Sequence, residues 1–399
     1  MKPVIRILAA ALLVAALAAT YRKLQEEERA PAGSQKKSPR AALIERIRNL
    51  PAAPASWKLL ESAPKEMDLP AIGGIEPELV SLLESAQNRV VFESYFLKQS
   101  LGRAAGLLKD AASRGIRVLG VLHPNPMSDA PFLDELRGAG AQIVERDLAP
   151  AGGNPVEGYV HAKFVIVDGH RGYLGSANLG AAAMKENREM GLAFDDAEIA
   201  QTLELMTSSD AGHVSSGQAE DVRSAVLLQG AADGFRMEGL PLCDEGVAAL
   251  CDLAQEEIDI MMFAFSHQFG TYDVIANAVR AAVRRGVKVR LIHDASTLRE
   301  LPGTAPTLRD MDQWDVDVRV ADLTGAGESP RGHYHAKSMR VDDEFLMVGS
   351  NNWTDAASHE NRETAVILRS ARLVKLFKQR FLADWNAHGL VRPFVRPAN

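Results

Sequence analysis

The chain has 399 residues, of which 46% are hydrophobic and 24% charged, and its formal net charge is −7. This length and composition suffice for two domains with full hydrophobic cores. Residues 41–399 carry 37 Lys and Arg against 49 Asp and Glu, a net charge of −12, which disfavours a nonspecific duplex-DNA binder. The two cysteines, Cys243 and Cys251, are too few for a cysteine metal site and, about 12 Å apart on a predicted helix, too distant for a disulfide.

The N-terminal residues 1–23 have the pattern of a signal peptide or a signal anchor. Their apolar run, residues 7–19, spans about 20 Å as a helix, short of the roughly 30 Å hydrocarbon core, whereas the two basic residues that follow favour an anchor. We therefore expect a protein that is exported, to the periplasm or the extracellular space, or anchored to a membrane. Residues 24–55, charged and rich in Pro and Ala, are predicted to be a flexible stalk.

The rest of the chain is a duplicated unit. Residues 114–118 match residues 285–289 at an offset of 171, and later blocks match at an offset of 174. Each copy is predicted to contain a helix, a strand, a helix ending at Gly, a strand, a long polar loop, two strands and a helix. The fold class is therefore predicted to be α/β, with two tandem α/β sandwich domains at residues 56–228 and 229–399.

Three short blocks recur in both copies at identical spacing: His-x-Lys-x-x-x-x-Asp, Gly-Ser-x-Asn and Glu-Asn-Arg-Glu. Their chemically important members are His161, Lys163, Asp168, Ser176, Asn178 and Glu189 in the first copy, and His335, Lys337, Asp342, Ser350, Asn352 and Glu363 in the second. Chance does not supply two copies of three blocks in one register. The blocks therefore indicate a duplicated catalytic half-site.

These residue types suit cleavage of a phosphodiester by a covalent route. One neutral imidazole can attack phosphorus while its duplicate, held protonated, delivers a proton to the leaving oxygen. The paired Lys, Asn and Ser side chains can surround the phosphoryl oxygens with charge and hydrogen-bond donors, so both Asn and both Ser residues are predicted to bind the substrate phosphate. Neither a metal nor another cofactor is then expected.

A carboxylate is expected to fix the tautomer of each histidine. Glu189 and Glu363 are the candidates, because each lies 28 residues after the His of its own copy. Asp168 and Asp342 belong to the motif and are kept among the candidate catalytic residues. Their odd offset from Lys on a predicted strand nevertheless points them away from it, so we interpret them as supports for the loop.

The three blocks, in both copies, resemble the paired motifs of the phospholipase D superfamily, with weaker similarity over residues 76–390. The resemblance implies a two-step reaction through a phosphohistidine, with His161 as the nucleophile and His335 as the acid. It also implies two phospholipase D-like domains packed about a pseudo-two-fold axis, with the motif strands at the seam. One active site per chain follows, so a monomer suffices and no obligate protein partner is expected.

The substrate class stays open between alternatives. A phospholipid headgroup hydrolase at a membrane surface fits the N-terminal segment, whereas a nuclease for single-stranded nucleic acid fits the segment 349–354, in which Trp353 either stacks a base or belongs to the core. A cardiolipin synthase-type phosphatidyltransferase is disfavoured because both copies lack the Asp-x-Arg-Ser continuation usual in those synthases. An inactive scaffold is disfavoured because the His, Lys, Asn and Glu residues are complete in both copies.

Residues near the motifs are weaker candidates. His123 and His293 follow the second predicted strand of each copy, and we expect them to end a strand rather than line a cleft. Tyr159 and His333 correspond at an offset of 174 and are positioned to touch substrate. Asp294, matched to Pro124 in the first copy, is assigned no catalytic role.

Overall fold

The computed structural model describes residues 38–67, 72–148, 158–215, 217–219, 222–266, 274–323 and 332–395. The predicted signal segment and the first part of the predicted stalk lie outside these ranges. Among the described residues, no helix has both the length and the hydropathy needed to cross a membrane.

The described chain forms two mixed β-sheets with helices around them. The first copy contains β1 (Lys58–Ser62), α2 (Ile75–Glu84), β2 (Arg89–Ser94), α3 (Arg103–Ser113), β3 (Arg117–Leu122), α4 (Ala130–Gly138), β4 (Gln142–Glu145), β5 (Phe164–Val167), β6 (Arg171–Gly175), α5 (Ala181–Lys185), β7 (Glu189–Asp195) and α6 (Ala197–Asp210), after α1 (Pro39–Arg48). The second contains β8 (Val226–Gly230), α7 (Cys243–Leu253), β9 (Glu257–Met262), α8 (Val274–Arg284), β10 (Lys288–Asp294), α9 (Thr297–Glu300), α10 (Thr304–Gln313), β11 (Asp317–Ala321), β12 (Lys337–Val341), β13 (Phe345–Gly349), α11 (Asp355–His359), β14 (Glu363–Arg369), α12 (Ala371–Trp385) and β15 (Val391–Pro393).

The two sheets have the same topology. Their strand orders are β1-β7-β6-β5-β2-β3-β4 and β15-β11-β10-β9-β12-β13-β14-β8, so the second sheet repeats the first and adds β15 at one edge. In each sheet three strands run parallel, and the motif strand, β5 or β12, pairs antiparallel beside them. The predicted α/β class and the two tandem domains are confirmed. Strand β8 begins at Val226, so the second sheet starts before the predicted boundary at residue 229.

The predicted polar loop before each motif strand contains additional structure. In the first copy it holds α4 and β4, and in the second it holds α9, α10 and β11. The Asp129 carboxylate accepts a hydrogen bond from Phe132 N at the start of α4, a local capping signal. The strand β4 has only four residues, too few for an alternating pattern to identify it.

The facing sides of the two sheets share one core. Leu174 and Leu192 from the first sheet pack in the same buried cluster as Leu346 and Val366 from the second. Separate clusters on the outer sides bury α2 and α3 against the first sheet and α7 and α8 against the second. This packing brings the beginnings of both motif strands to one seam.

Part of the predicted stalk is ordered, which corrects the prediction of a flexible segment over residues 24–55. Helix α1 places Leu43 and Ile47, four residues apart on one face, in the core of the second sheet. Further along, Ala53 N donates to the carbonyl of Arg369 at 2.8 Å. Burial of these apolar side chains outweighs the Pro- and Ala-rich composition that predicted flexibility.

Candidate active site

Each histidine segment is tied to the other copy by backbone hydrogen bonds. His161 N donates to the carbonyl of Arg362 at 2.8 Å, and His335 N donates to the carbonyl of Arg188 at 2.9 Å. Arg362 N and Arg188 N donate in return to the carbonyls of Tyr159 and His333. The Glu-Asn-Arg-Glu block of each copy therefore runs beside the histidine segment of the opposite copy.

The carboxylate partners of the histidines are consequently crossed. His161 Nδ1 lies 2.7 Å from Glu363 Oε1, and His335 Nδ1 lies 2.9 Å from both carboxylate oxygens of Glu189. Both glutamates have the predicted role of fixing the imidazoles, but each serves the His of the other copy rather than its own. Spacing along the chain could not show this, because the exchange depends on how the two sheets pack.

The prediction that Ser176 and Ser350 bind phosphate is corrected. Ser176 Oγ donates to Glu189 Oε2 at 2.6 Å, and Ser350 Oγ donates to Glu363 Oε2. Both hydroxyls are buried and also accept a backbone N–H, from Met190 and Thr364 at 3.0 Å. Each serine therefore holds the glutamate that orients a histidine, and its proton is already used.

The two lysines reach the site beside the histidines. Lys337 Nζ donates to the carbonyl of His335 at 2.7 Å, and Lys163 Nζ donates to that of His161. Burial lowers the pKa of Lys163 to about 7 and that of Lys337 to about 8, against the opposing effect of Glu363 and Glu189. The two glutamates thus do not fully offset the burial of the two lysine charges, and an anionic group beside them would favour the charged forms.

The histidine pKa values differ from the prediction of one neutral and one protonated ring. Burial lowers the pKa of His335 to about 4 and holds that of His161 well below its ordinary value, and Lys163 and Lys337 act in the same direction. Both rings therefore favour the neutral form near pH 7. No hydrogen bond to either Nε2 is found within the described part of the chain.

The two orienting glutamates are electrostatically unlike. Burial raises the pKa of Glu363 to about 8 despite the nearby Lys163. The same burial is outweighed at Glu189 by His335, Lys337 and Ser176, which hold its pKa below the ordinary value. The two copies share their geometry but not the charge that each carboxylate carries.

Asp168 and Asp342 face away from the histidines, at the far ends of the motif strands. Asp168 accepts backbone hydrogen bonds from residues 87, 88 and 89, and Asp342 does so from residues 255, 256 and 257. The interpretation of both as loop supports is confirmed, and their inclusion among candidate catalytic residues is corrected. Each also has positive φ, 53° and 51°, a conformation that Asp tolerates in tight turns.

Asn178 and Asn352 follow the second strand of each motif hairpin and are half-buried. Their Oδ1 atoms are buried and have no hydrogen-bond partner among the described residues. A phosphate oxygen would accept from the Nδ2 side, so the predicted phosphate contact stays a prediction.

The asparagines of the repeated Glu-Asn-Arg-Glu block were missed as functional residues. Asn187 Oδ1 accepts from His333 N at 3.1 Å while its Nδ2 donates to Glu189 at 3.0 Å. Asn361 Oδ1 accepts in the same way from Tyr159 N at 3.0 Å. Each Asn thereby links the segment before one histidine to the element that orients it, and the repetition of the block was the available signal.

Buried ion pairs fasten the same blocks. Arg188 Nε lies 2.8 Å from Asp384 Oδ2, and Arg362 Nε lies 2.5 Å from Asp210 Oδ2, with all four side chains fully buried. Both pairs join one copy to the other. Asp210 and Asp384 are separated by the repeat offset of 174, a signal that the sequence contained.

The first copy lines its side of the site with neutral rings. Tyr95 stacks on His123 with ring centroids 5.4 Å apart and meets His161 edge-on at 5.5 Å. Tyr159 meets His123 edge-on at 4.7 Å. Burial lowers the pKa of His123, so this first-copy wall, formed by Tyr95, His123 and Tyr159, is uncharged near neutral pH.

The second copy has a carboxylate, that of Asp294, at the position that matches His123. The strand registers pair Arg117 with Arg89 and Lys288 with Glu257, an offset of 171 that makes Asp294, not His293, the counterpart of His123. The predicted match of Asp294 with Pro124 is therefore wrong by one residue. His293 lies within β10 in the core, where its Nε2 accepts from Phe265 N at 3.0 Å. His123 follows β3 and belongs to the first-copy wall, which corrects the expectation that it only ends a strand.

Groups of three or more His, Cys, Asp or Glu side chains that could hold a metal ion are not found in the described ranges. Cys243 and Cys251 are buried free thiols.

The chain is similar to a known protein family and to several of its members. A family model described as "Cardiolipin synthase, PLD-like domain" matches residues 79–210 and again residues 247–385, more than half of the chain. The mitochondrial cardiolipin hydrolase of Mus musculus is 30% identical over 132 residues, 33% of this chain and 53% of that protein, so the match spans about half of the relative. The 5'-3' exonuclease PLD3 of Bos taurus is 24% identical to this chain, in a match that covers 84% of this chain and 80% of that protein.

A solved structure has the same fold. Phosphatidylserine synthase of Haemophilus influenzae Rd KW20 superimposes with a TM-score of 0.66, covering 89% of this chain and 92% of that chain at 11% identity. The chain belongs to the phospholipase D superfamily, as two tandem copies of its domain.

Proposed function

We propose that this protein is a metal-independent phosphodiesterase that hydrolyses phospholipid headgroups through a covalent phosphohistidine. The observation that carries the proposal is the crossed pair of histidines, each with Nδ1 fixed by a buried glutamate of the other copy. This arrangement leaves both Nε2 atoms for the substrate. Nucleophile and acid can therefore act on opposite sides of one phosphorus.

In the first step, Nε2 of His161 attacks phosphorus and the leaving alkoxide takes a proton from Nε2 of His335. In the second step, His335 removes a proton from water, which attacks phosphorus and releases His161. The role of nucleophile is given to His161 by family resemblance. Burial lowers the pKa of His335 to about 4, and a phosphodiester anion beside the ring raises that value because it stabilises the imidazolium.

Lys163 and Lys337 supply the positive charge for the phosphoryl oxygens. Each Nζ gives one hydrogen bond to a backbone carbonyl, so its remaining protons can serve the substrate. Since burial has lowered both lysine pKa values, substrate binding recovers part of this unfavourable electrostatic energy. Removal of a single preorganised donor of this kind typically costs about 2.7–4 kcal/mol of transition-state stabilisation.

Three features support a lipid substrate. A relative with 30% identity is named a cardiolipin hydrolase, and the family model carries the name of a lipid enzyme. The apolar residues 7–19, proposed to export the protein or tether it to a membrane, would keep the enzyme close to a bilayer. Hydrolysis is proposed over transfer because both copies lack the Asp-x-Arg-Ser continuation usual in the synthases.

A nuclease is the second candidate, favoured by the first-copy wall. Tyr95 and Tyr159 beside His161 have the geometry on which a base can stack, and the relative that covers 84% of this chain is named an exonuclease. Trp353 does not contribute, because it is 1% exposed and packs edge-on against Phe265. The core interpretation of this tryptophan is confirmed.

The test uses the full-length protein in EDTA, with labelled phosphatidylglycerol vesicles and single-stranded oligonucleotides in parallel. Headgroup release that His161→Asn abolishes would support the proposal. Oligonucleotide cleavage alone would assign the nuclease function. Activity that is lost in EDTA and restored by a divalent ion would overturn metal independence, and formation of a new phosphodiester from an added alcohol in place of free headgroup would identify a transferase.

A further inference from the structure

A charged group lies beside His335 where the first copy has neutral rings. Asp294 is the counterpart of His123, and His333 is the counterpart of Tyr159 at the repeat offset of 174. Asp294 is 1% exposed and accepts hydrogen bonds from Ser296 N at 2.8 Å, from Tyr334 N at 2.6 Å and from Ser296 Oγ. Although burial opposes ionisation, His333 and these donors keep the pKa of Asp294 below its ordinary value.

His333 is held by this carboxylate through a serine. Its Nδ1 lies 3.2 Å from Ser296 Oγ and 3.9 Å from Asp294 Oδ1, so Nδ1–H donates to Oγ while the Ser296 hydroxyl donates to Asp294. The carboxylate of Asp294, aided by Glu300 and opposed by burial and Lys337, raises the pKa of His333. His333 is therefore the histidine of the site that favours the charged form.

The rings of His333 and His335 contact the same phenyl group. Phe263 meets His333 edge-on with ring centroids 5.6 Å apart and His335 edge-on at 4.7 Å, which places His333 close to His335. The His333 side chain is 35% exposed, and its Nε2 has no hydrogen-bond partner in the ranges that the structure describes. A cation with one free N–H at the rim of a phosphodiester site is suited to bind an anion.

We propose that His333, fixed by Ser296 and Asp294, binds an anionic group, a phosphate, on the leaving alcohol of the substrate. The inference rests on the proposed function, in which His161 attacks and His335 protonates the leaving oxygen. Because attacking and leaving atoms lie roughly in line across phosphorus, the leaving alcohol occupies the His335 side, where His333 stands. The retained part of the substrate then faces the uncharged first-copy wall.

The buried carboxylate of Asp294 has no counterpart in the first copy, where His123 stands at the matching position. The first copy holds its matching segment with the same Asn-to-backbone bond and needs no carboxylate there, since Tyr159 N donates to Asn361. An ionised carboxylate at 1% exposure needs hydrogen-bond donors or positive charge nearby to offset its burial. Ser296 N and Tyr334 N supply donors, and the charge of His333 adds to them.

A phosphate on the leaving alcohol has two sources, a lipid whose headgroup carries a second phosphate and a nucleic-acid strand. The lipid arm of the test compares phosphatidylglycerol with phosphatidylglycerol phosphate in the same detergent micelles. The nucleic-acid arm compares a thymidine dinucleotide with and without a phosphate on its leaving nucleoside. Both arms use the full-length protein, and kcat/KM is measured for each substrate.

The wild-type enzyme is expected to prefer the phosphorylated partner of one pair by at least about tenfold, through KM. His333→Gln should abolish that preference, His333→Lys should restore much of it, and His388→Gln, an exposed histidine far along the chain, should retain it. Equal kcat/KM within both pairs, or a preference that survives in His333→Gln, would overturn the inference while hydrolysis itself still supported the proposed function. Absence of hydrolysis of all four substrates would instead overturn the proposed function and the inference with it.

Discussion

The two halves of the active site have the same scaffold and different surroundings. His161 and His335 each receive a glutamate, an asparagine link and a buried arginine from the opposite copy. Beyond this scaffold the first copy presents Tyr95, His123 and Tyr159, whereas the second presents Phe263, His333 and Asp294. Under the proposed function, the geometry common to both copies serves the phosphoryl group, and the residues that differ between the copies distinguish the two ends of the substrate.

The difference also extends to the orienting carboxylates. Glu189 has a lowered pKa beside His335, so it stabilises a positive charge on that ring, as a proton donor requires. Glu363 has a pKa of about 8 beside His161, so burial disfavours the negative charge on this carboxyl near neutral pH. A duplicated motif can therefore perform two unlike steps without any change in its own residues.

The largest expected effect distinguishes the roles of the histidines. His161→Asn should lower kcat by about 10⁴-fold or more, because no nucleophile remains. His335→Asn should lower kcat by a similar factor with alkyl leaving groups, yet still allow a covalent intermediate with a p-nitrophenyl leaving group that needs no protonation. Mass spectrometry after acid-free quenching detects the phosphohistidine, and an intermediate in His161→Asn alone would exchange the two roles.

The two buried ion pairs are expected to contribute unequally to the free energy of unfolding. Breaking a buried pair typically lowers the free energy of unfolding by about 3–5 kcal/mol. Asp210→Asn should have the larger effect, because the other carboxylate near Arg362 is Glu93, whose pKa is raised by burial, whereas Arg188 keeps Glu61 at 2.9 Å after Asp384→Asn.

Urea denaturation measures both changes. Asp233→Asn, at a side chain that is 93% exposed, is the matched control and should change the free energy of unfolding by less than about 0.5 kcal/mol. Equal losses in Asp210→Asn and Asp384→Asn would show that the two arginines have equivalent second partners.

Substitutions of the two orienting glutamates should respond differently to a change of leaving group. Replacement of either residue by Gln should lower kcat by about 10- to 100-fold. The effect of Glu189→Gln should shrink with a p-nitrophenyl leaving group, since His335 then has no proton to deliver, whereas the effect of Glu363→Gln should stay constant. Steady-state kinetics on both substrates test this, and a constant effect in both variants would mean that neither glutamate is specific to one step.

The pH profile of kcat/KM should be bell-shaped, with its maximum below about pH 7. Activity rises with pH as the histidine acting as nucleophile loses its proton, at a value below the ordinary imidazole pKa. It falls again as Lys163 and Lys337 lose their charges, with pKa values of about 7 and 8. Lys163→Arg should move the alkaline limb upward, and a limb unchanged in that variant would assign it to another group.

The sequence alone indicated the proposed chemistry, because a covalent phosphodiester site requires particular residue types and the duplication displayed them twice in one register. It also predicted the turn after each motif strand, since the odd offset of Asp168 from Lys163 had only one outcome on a regular strand. The α/β class followed from alternating strand and helix patterns. Short elements such as β4 could not be predicted from the sequence, because four residues carry too little periodicity.

The tertiary structure decided which glutamate serves which histidine. Chain spacing links Glu189 to His161, but the facing sheets bring the Glu-Asn-Arg-Glu block of each copy alongside the opposite motif segment, and the hydrogen bonds cross. It also determined the hydrogen-bond partners of Ser176 and Ser350, whose hydroxyl groups donate to glutamates rather than to phosphate. Residue identity fixes what a side chain can do, whereas only packing determines which partner lies within hydrogen-bond distance.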